Sequence, residues 1–167
     1  APATDPTAEA TEAPAAETAE AEYKLGMGVS VSLDSSDTNK AQVDATVATV
    51  VTDSEGKIVL CRIDCAQNKM DVTGGAVDTA KTFLTKRELG DDYNMVKYGN
   101  AIAEWDAQAK AFADYTVGKT ADEVRAIETT QNDDGYSVTA DETLYASCTM
   151  QITGMMAVLA QAADYAR

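Results

Sequence analysis

Ala41-Gln-Val-Asp-Ala-Thr-Val-Ala-Thr-Val-Val-Thr-Asp-Ser-Glu-Gly-Lys-Ile-Val-Leu-Cys-Arg-Ile-Asp64 decides the fold. Ala41 to Thr52 is rich in Val and Thr, whose branched β-carbons suit a pleated surface, so it reads as a strand. Asp53-Ser-Glu-Gly56 is a turn signal, with Gly56 free to take positive φ. Lys57 to Asp64 then returns as the paired strand, with Ile58, Leu60 and Arg62 opposing Val59, Cys61 and Ile63.

Working outward toward the N-terminus, Tyr23 to Leu33 sets Leu25, Met27, Val29, Val31 and Leu33 against small or polar residues. That period of two predicts a half-buried strand with the apolar set turned to the core. Asp34 to Asn39 reads as a loop. Residues 1–22 carry six acidic residues, no basic ones and all three prolines, without an aromatic or large aliphatic residue. Such a segment cannot bury enough apolar surface to offset its ordering entropy, so it is expected to be a disordered acidic tether, leaving residues 23–167 as a single domain.

Toward the C-terminus, glycines at 74, 75, 90 and 99 break the pattern into short pieces, with a brief strand expected at Lys81 to Leu84. Thr85-Lys-Arg-Glu-Leu-Gly-Asp-Asp-Tyr-Asn-Met95 reads as a loop, either a solvated connection or a binding loop beside the sheet. Ala101 to Tyr115 is a predicted helix whose stripe of Ile102, Trp105, Ala109 and Phe112 packs on the sheet, ended by Gly118. Thr120-Ala-Asp-Glu123 has capping-box spacing and starts a short helix through Val124 and Ile127. Gln131 to Ser137 is a loop or hairpin turn. In the last helix Ile152, Met155, Met156, Leu159 and Ala163 share one face, with Ser147 and Thr149 near its start, where their hydroxyls can cap free N–H groups. The same N–H groups would attract a small anionic ligand. Strands first and helices later predict an α+β domain, an antiparallel sheet with helices packed on one face.

Charge and composition exclude several classes of function. Of the formal net charge of −15, residues 23–167 hold −9, which opposes binding nucleic acid or an anionic membrane surface through charge. The chain contains no His and only three Cys, without a Cys-x-x-Cys, so a zinc site is not expected. Cys61 and Cys65 on one strand would face the same way about 13 Å apart, beyond disulfide reach. Whether Cys148 pairs with either depends on the fold, and free buried thiols are the expectation. Asp91-Asp92 and Asp133-Asp134 are turn carboxylates, not an acid and base separated by a substrate. No nucleophile lies beside a base, which points away from an enzyme that works without a cofactor. The composition of residues 1–22 is what commonly follows a removed signal peptide, so an extracytoplasmic location is expected.

The order of strand, hairpin with Asp53-Ser-Glu-Gly-Lys-Ile58, central helix and hydroxyl-led last helix resembles the FMN-binding domains of bacterial cell-surface lipoproteins. It is most similar to a branch with a degenerate attachment motif, in which segments similar to Thr85–Met95, Glu104-Trp105 with Ala111-Phe-Ala-Asp-Tyr115, and Val117-Gly-Lys-Thr-Ala-Asp-Glu-Val124 recur together. The resemblance covers about residues 41–167. It implies an FMN-binding-domain-like fold, a lipid anchor to the membrane upstream of the chain, and FMN as cofactor for extracytoplasmic electron transfer. In flavinylated members a Ser/Thr-Gly-Ala-Thr motif presents its Thr for a phosphoester bond to FMN, and the matching positions are Ala146, Ser147, Cys148 and Thr149. Thr149 stands where the modified Thr would be, Asp141 where an upstream acid occurs, and Tyr93, Tyr145, Met150 and Met155 are candidate walls for the ring. Ser147 replaces the Gly and Cys148 the Ala, and Ser resists the close approach or positive φ that Gly permits. The alternative reading is a cofactor-free interaction or structural domain on the same scaffold.

Overall fold

The computed structural model describes residues 22–75 and 80–167, so the acidic segment, except for its last residue, lies outside the described residues. Strands β1 (Lys24–Ser32), β2 (Lys40–Thr52) and β3 (Ile58–Asp71) form an antiparallel sheet in the order β1-β2-β3. The β2–β3 hairpin is held as its sequence requires. Asp53 Oδ1 accepts the N–H groups of Glu55 and Lys57, each at 2.9 Å, and Gly56 takes φ 77°. β3 runs past Asp64 to Asp71, and one register shift, between Val51 and Thr52, changes its alternation. Because of that extra residue, Ile58 joins Cys61, Ile63 and Cys65 on the helix-covered side instead of opposing Cys61 and Ile63.

Beyond β3 the expectations fail locally. No strand forms at Lys81–Leu84; Lys81 instead reaches back to the Lys69 carbonyl at 2.9 Å. The segment expected as a loop is helical, with α1 (Lys86–Leu89), a 3-10 turn (Gly90–Tyr93) and α2 (Met95–Gly99). Thr85 and Glu88 make a reciprocal capping box, which satisfies two N–H groups at the start of α1. Next come α3 (Trp105–Thr116) and α4 (Ala121–Arg125), the latter opened by the expected box of Thr120 and Glu123. Ile102 precedes α3 and is exposed, so the buried stripe of that helix begins at Trp105. A small hairpin of β4 (Thr129–Gln131) and β5 (Ser137–Thr139) leads to α5 (Glu142–Tyr145) and α6 (Thr153–Asp164).

The core lies between one face of the sheet and the helices. Phe112 and Ala109 from α3, Val124 from α4, and Val158, Leu159 and Ala162 from α6 close over Ala48, Val50, Ile58 and Ile63. The architecture is therefore α+β with an antiparallel sheet.

On β1 the sequence expectation is inverted. Gly26 and Gly28 face α6, whereas Leu25, Met27, Val29, Val31 and Leu33 point to solvent. The reason is distance. A Cβ at Gly28 would lie 3.0 Å from the Ala162 amide nitrogen, and one at Gly26 would lie 2.9 Å from the Ala162 carbonyl carbon. Backbone meets backbone there, and only glycine leaves room.

The open face of the sheet is consequently apolar along β1 and most of β2, with Arg62 and Asp64 as charged residues on β3. In register it presents Leu25, Val51 and Leu60, then Met27, Thr49 and Arg62, then Val29, Val47 and Asp64, then Val31, Ala45 and Ala66. Leu25, Val31 and Leu60 are 66%, 63% and 64% exposed. Both edges of the sheet are occupied near this face. Leu25 exchanges two backbone hydrogen bonds with Arg167, each 3.2 Å, and Gln161 Oε1 accepts the Val29 N–H at 2.9 Å. On β3, Ile58 bonds Lys119 and Gly118, while Arg87 Nε donates to the Ile63 carbonyl at 2.5 Å.

Candidate functional site

The sequence candidates Asp141, Ser147, Cys148, Thr149 and Met150 lie at the start of α5 and on the anchored connection, residues 146–152, that joins it to α6. Asp141 is the N-cap of α5, its Oδ1 accepting the N–H groups of Thr143 and Leu144, each at 2.9 Å. Its Oδ2 accepts the Tyr115 hydroxyl at 3.1 Å. The Leu144 N–H, together with the Tyr115 and Thr143 donors, holds the Asp141 carboxyl below the ordinary aspartate range, against a smaller opposing effect of burial. Burial, then the hydrogen bond to Asp141 and the charge of that carboxylate, raise the Tyr115 phenol. Lys119 stands 4.6 Å from the centre of the Tyr115 ring. These groups line a cleft of about 440 Å³ with Glu123, Ile127 and Glu128.

Ser147 and Thr149 do not cap the last helix. α6 starts at Thr153 with Ile152 as its N-cap and without a side-chain cap. Two buried residues, Cys148 and Ile152, pin the chain to the core and hold residues 149–151 between them as an irregular link that bends at Met150. Ser147 Oγ donates to the Leu144 carbonyl at 3.1 Å, and the Thr149 N–H donates to Gln108 Oε1 at 2.9 Å. Cys148 is fully buried, its thiol pushed up to about 11 by desolvation, and Cys61, Cys65 and Cys148 are all free. Cys61 Sγ lies 3.1 Å from the Ala113 carbonyl, which accounts for the thiol's orientation.

Tyr93 is placed elsewhere again. Its hydroxyl donates to Gln67 Oε1 at 3.3 Å, and its ring lies 5.0 Å from the Lys86 ammonium, which also lies 5.3 Å from the Trp105 ring. Met150 is half-buried against the core.

The sequence-chosen residues thus fall at different stations along α3. Thr149 meets Gln108, whereas Asp141 meets Tyr115 two helical turns further, about 10 Å at 1.5 Å per residue. Gln108, which sequence reading passed over, is fully buried and ties α3 to this segment, donating also to the Ala103 carbonyl at 2.8 Å. Its signal was present: Gln108 sits on the same stripe as Trp105 and Phe112, and a polar residue at a core position needs fixed partners.

A flavin phosphate at Thr149 would need free donors around the hydroxyl. In this arrangement the Thr149 N–H and the Ser147 hydroxyl are already engaged within the protein. The donor set does not fit a phosphoester site as it stands. Among the described residues no group of three or more His, Cys, Asp or Glu is placed to hold a metal ion, and no helix is long and apolar enough to cross a membrane. Comparison with protein-family models, with curated proteins and with solved structures finds no match to this chain, so its functional reading rests on these residues.

Proposed function

We propose that this chain is a non-enzymatic interaction module that works through the open apolar face of its three-stranded sheet. The observation that carries the reading is the solvent exposure of Leu25, Met27, Val29, Val31 and Leu60 in one continuous, registered patch. Water penalises a contiguous apolar patch of this kind, and on a folded domain such patches mark docking surfaces. Because both sheet edges are engaged by the chain's own C-terminus, α1 and the α3–α4 turn, a partner meets the face and does not add a strand. An extracytoplasmic setting, expected from residues 1–22 and from the family resemblance, suits a module of this kind.

The test is a photo-crosslinking amino acid at Val29 in cells producing the protein, with the same probe at the exposed turn residue Glu55 for comparison. The expected result is a discrete polypeptide adduct from position 29 and none from position 55. Equal, negligible crosslinking at both positions would sink the proposal.

A flavin-bearing role, the expectation of the resemblance, receives less support from the engaged donors at Ser147 and Thr149. Protein made alongside a flavin transferase with excess riboflavin is expected to stay colourless and of unmodified mass. A yellow product heavier by one FMN, and lost in Thr149→Ala, would establish covalent attachment in spite of this geometry.

A further inference from the structure

We propose that the partner of the open sheet face is a second copy of this chain, packed face to face about a two-fold axis; the proposal rests on the interaction reading above. The argument is charge complementarity of the face with itself. Within its four registered rows the only charged residues are Arg62 and Asp64, both on β3 and two residues apart, so their side chains project on the same side. The Arg62 guanidinium makes no ion pair among the described residues.

Consider an axis lying between two facing sheets, perpendicular to the strands, at the level of Gly28, Ala48 and Ile63. That operation lays β3 over β3 in the opposite direction. Arg62 of each copy then faces Asp64 of the other, twice per interface. The same operation sets Met27 and Thr49 over Val29 and Val47, and Leu25, Val51 and Leu60 over Val31, Ala45 and Ala66. Apolar rows meet apolar rows and each charge meets its opposite, as an isologous interface requires. The face has no net charge, so the contact adds no like-charge repulsion of its own, while the chain's overall −15 opposes pairing at a range that salt screens. Two sheets packed in this way are about 10 Å apart and share a side-chain layer.

The pairing is tested by sedimentation equilibrium of the native chain and of two charge variants, each first shown by circular dichroism and thermal melting to be folded. The native protein is expected to reach twice its monomer mass of 17.6 kDa at sub-millimolar concentration. Arg62→Asp gives a face with two acids and Asp64→Arg a face with two bases. Each alone is expected to weaken self-association at least tenfold, since like charges now oppose across the axis. Mixed in equal amounts, the two variants are expected to form a heterodimer with near-native affinity. Asp64 Oδ1 accepts the Cys65 N–H at 2.7 Å and the Arg87 N–H of α1 at 3.3 Å, which leaves Oδ2 for the facing Arg62; should Asp64→Arg fail to fold because it loses these two bonds, Met27→Asp replaces it as a variant expected to abolish association. A monomeric native protein, or an Arg62→Asp variant that dimerises as the native chain does, overturns the self-pairing. An adduct from the Val29 probe that contains only a different polypeptide would overturn self-pairing while leaving the interaction reading standing; no adduct at all would remove both.

Discussion

Gly26→Val is expected to be among the most damaging single substitutions in this protein. A side chain at Gly26 would overlap the carbonyl oxygen of Ala162 and approach the Ala166 amide nitrogen to 3.0 Å, and both are backbone atoms of the α6 region that no rotamer change can move aside. α6 would have to lift from β1, which would also strain the two Leu25–Arg167 hydrogen bonds that close the sheet edge. Overpacking that side-chain adjustment cannot relieve costs about 3 kcal/mol or more. For a domain of this size that is about 10 °C in melting temperature. Gly154→Ala is the internal control. It lies in the first turn of α6 with no atom within 4 Å of the added methyl, and it is expected to stabilise by about 0.5–1 kcal/mol through lower entropy of the unfolded chain. Thermal melts of the two variants decide the matter: if Gly26→Val melts within about 2 °C of the native protein, the close approach of β1 and α6 is wrong.

The same close contact explains what the sequence hid. Period-two alternation shows that β1 has two unlike faces, but it does not say which one is buried. The apolar set at Leu25, Met27, Val29 and Val31 reads as the core face because apolar residues usually go there. The opposite set, Gly26, Gly28, Ser30 and Ser32, carried the overriding signal, since paired glycines inside a strand mark a place where another backbone comes near. The β2–β3 hairpin and the Thr120–Glu123 capping box were legible because each is fixed by local chemistry. By that standard the Thr85–Glu88 box should have revealed α1, but Gly90 and the adjacent acids made a turn of four residues look like a loop. At the candidate site, helical periodicity identified α6 but not where it starts. The residues that set its start are Cys148 and Ile152, whose burial depends on contacts far away in sequence.

Gln108→Leu is expected to cost about 2–4 kcal/mol, an effect close to that of a core cavity although the replacement is apolar and of similar size. The side chain is completely buried and spans two elements, its Nε2 donating to the Ala103 carbonyl at 2.8 Å and its Oε1 accepting the Thr149 N–H at 2.9 Å. Leucine would leave the backbone groups of half-buried Ala103 and Thr149 without these partners, and the lower half of the about 1–3 kcal/mol that an orphaned buried group costs applies to each. Thr149→Ala offers the contrast. The strong contact to Gln108 is made by the Thr149 backbone, which alanine keeps, while the hydroxyl lies 3.4 Å from Gln108 Oε1 and adds little. That variant should lose less than about 1 kcal/mol. Hydrogen exchange at the Thr149 amide adds a local readout to the denaturant titrations. It should quicken strongly in Gln108→Leu and hardly at all in Thr149→Ala, because the bond that protects it comes from α3. Equal losses of stability in the two variants, with the amide equally protected, would mean that the segment between Cys148 and Ile152 is held by its two buried ends alone and that Gln108 is merely tolerated in the core.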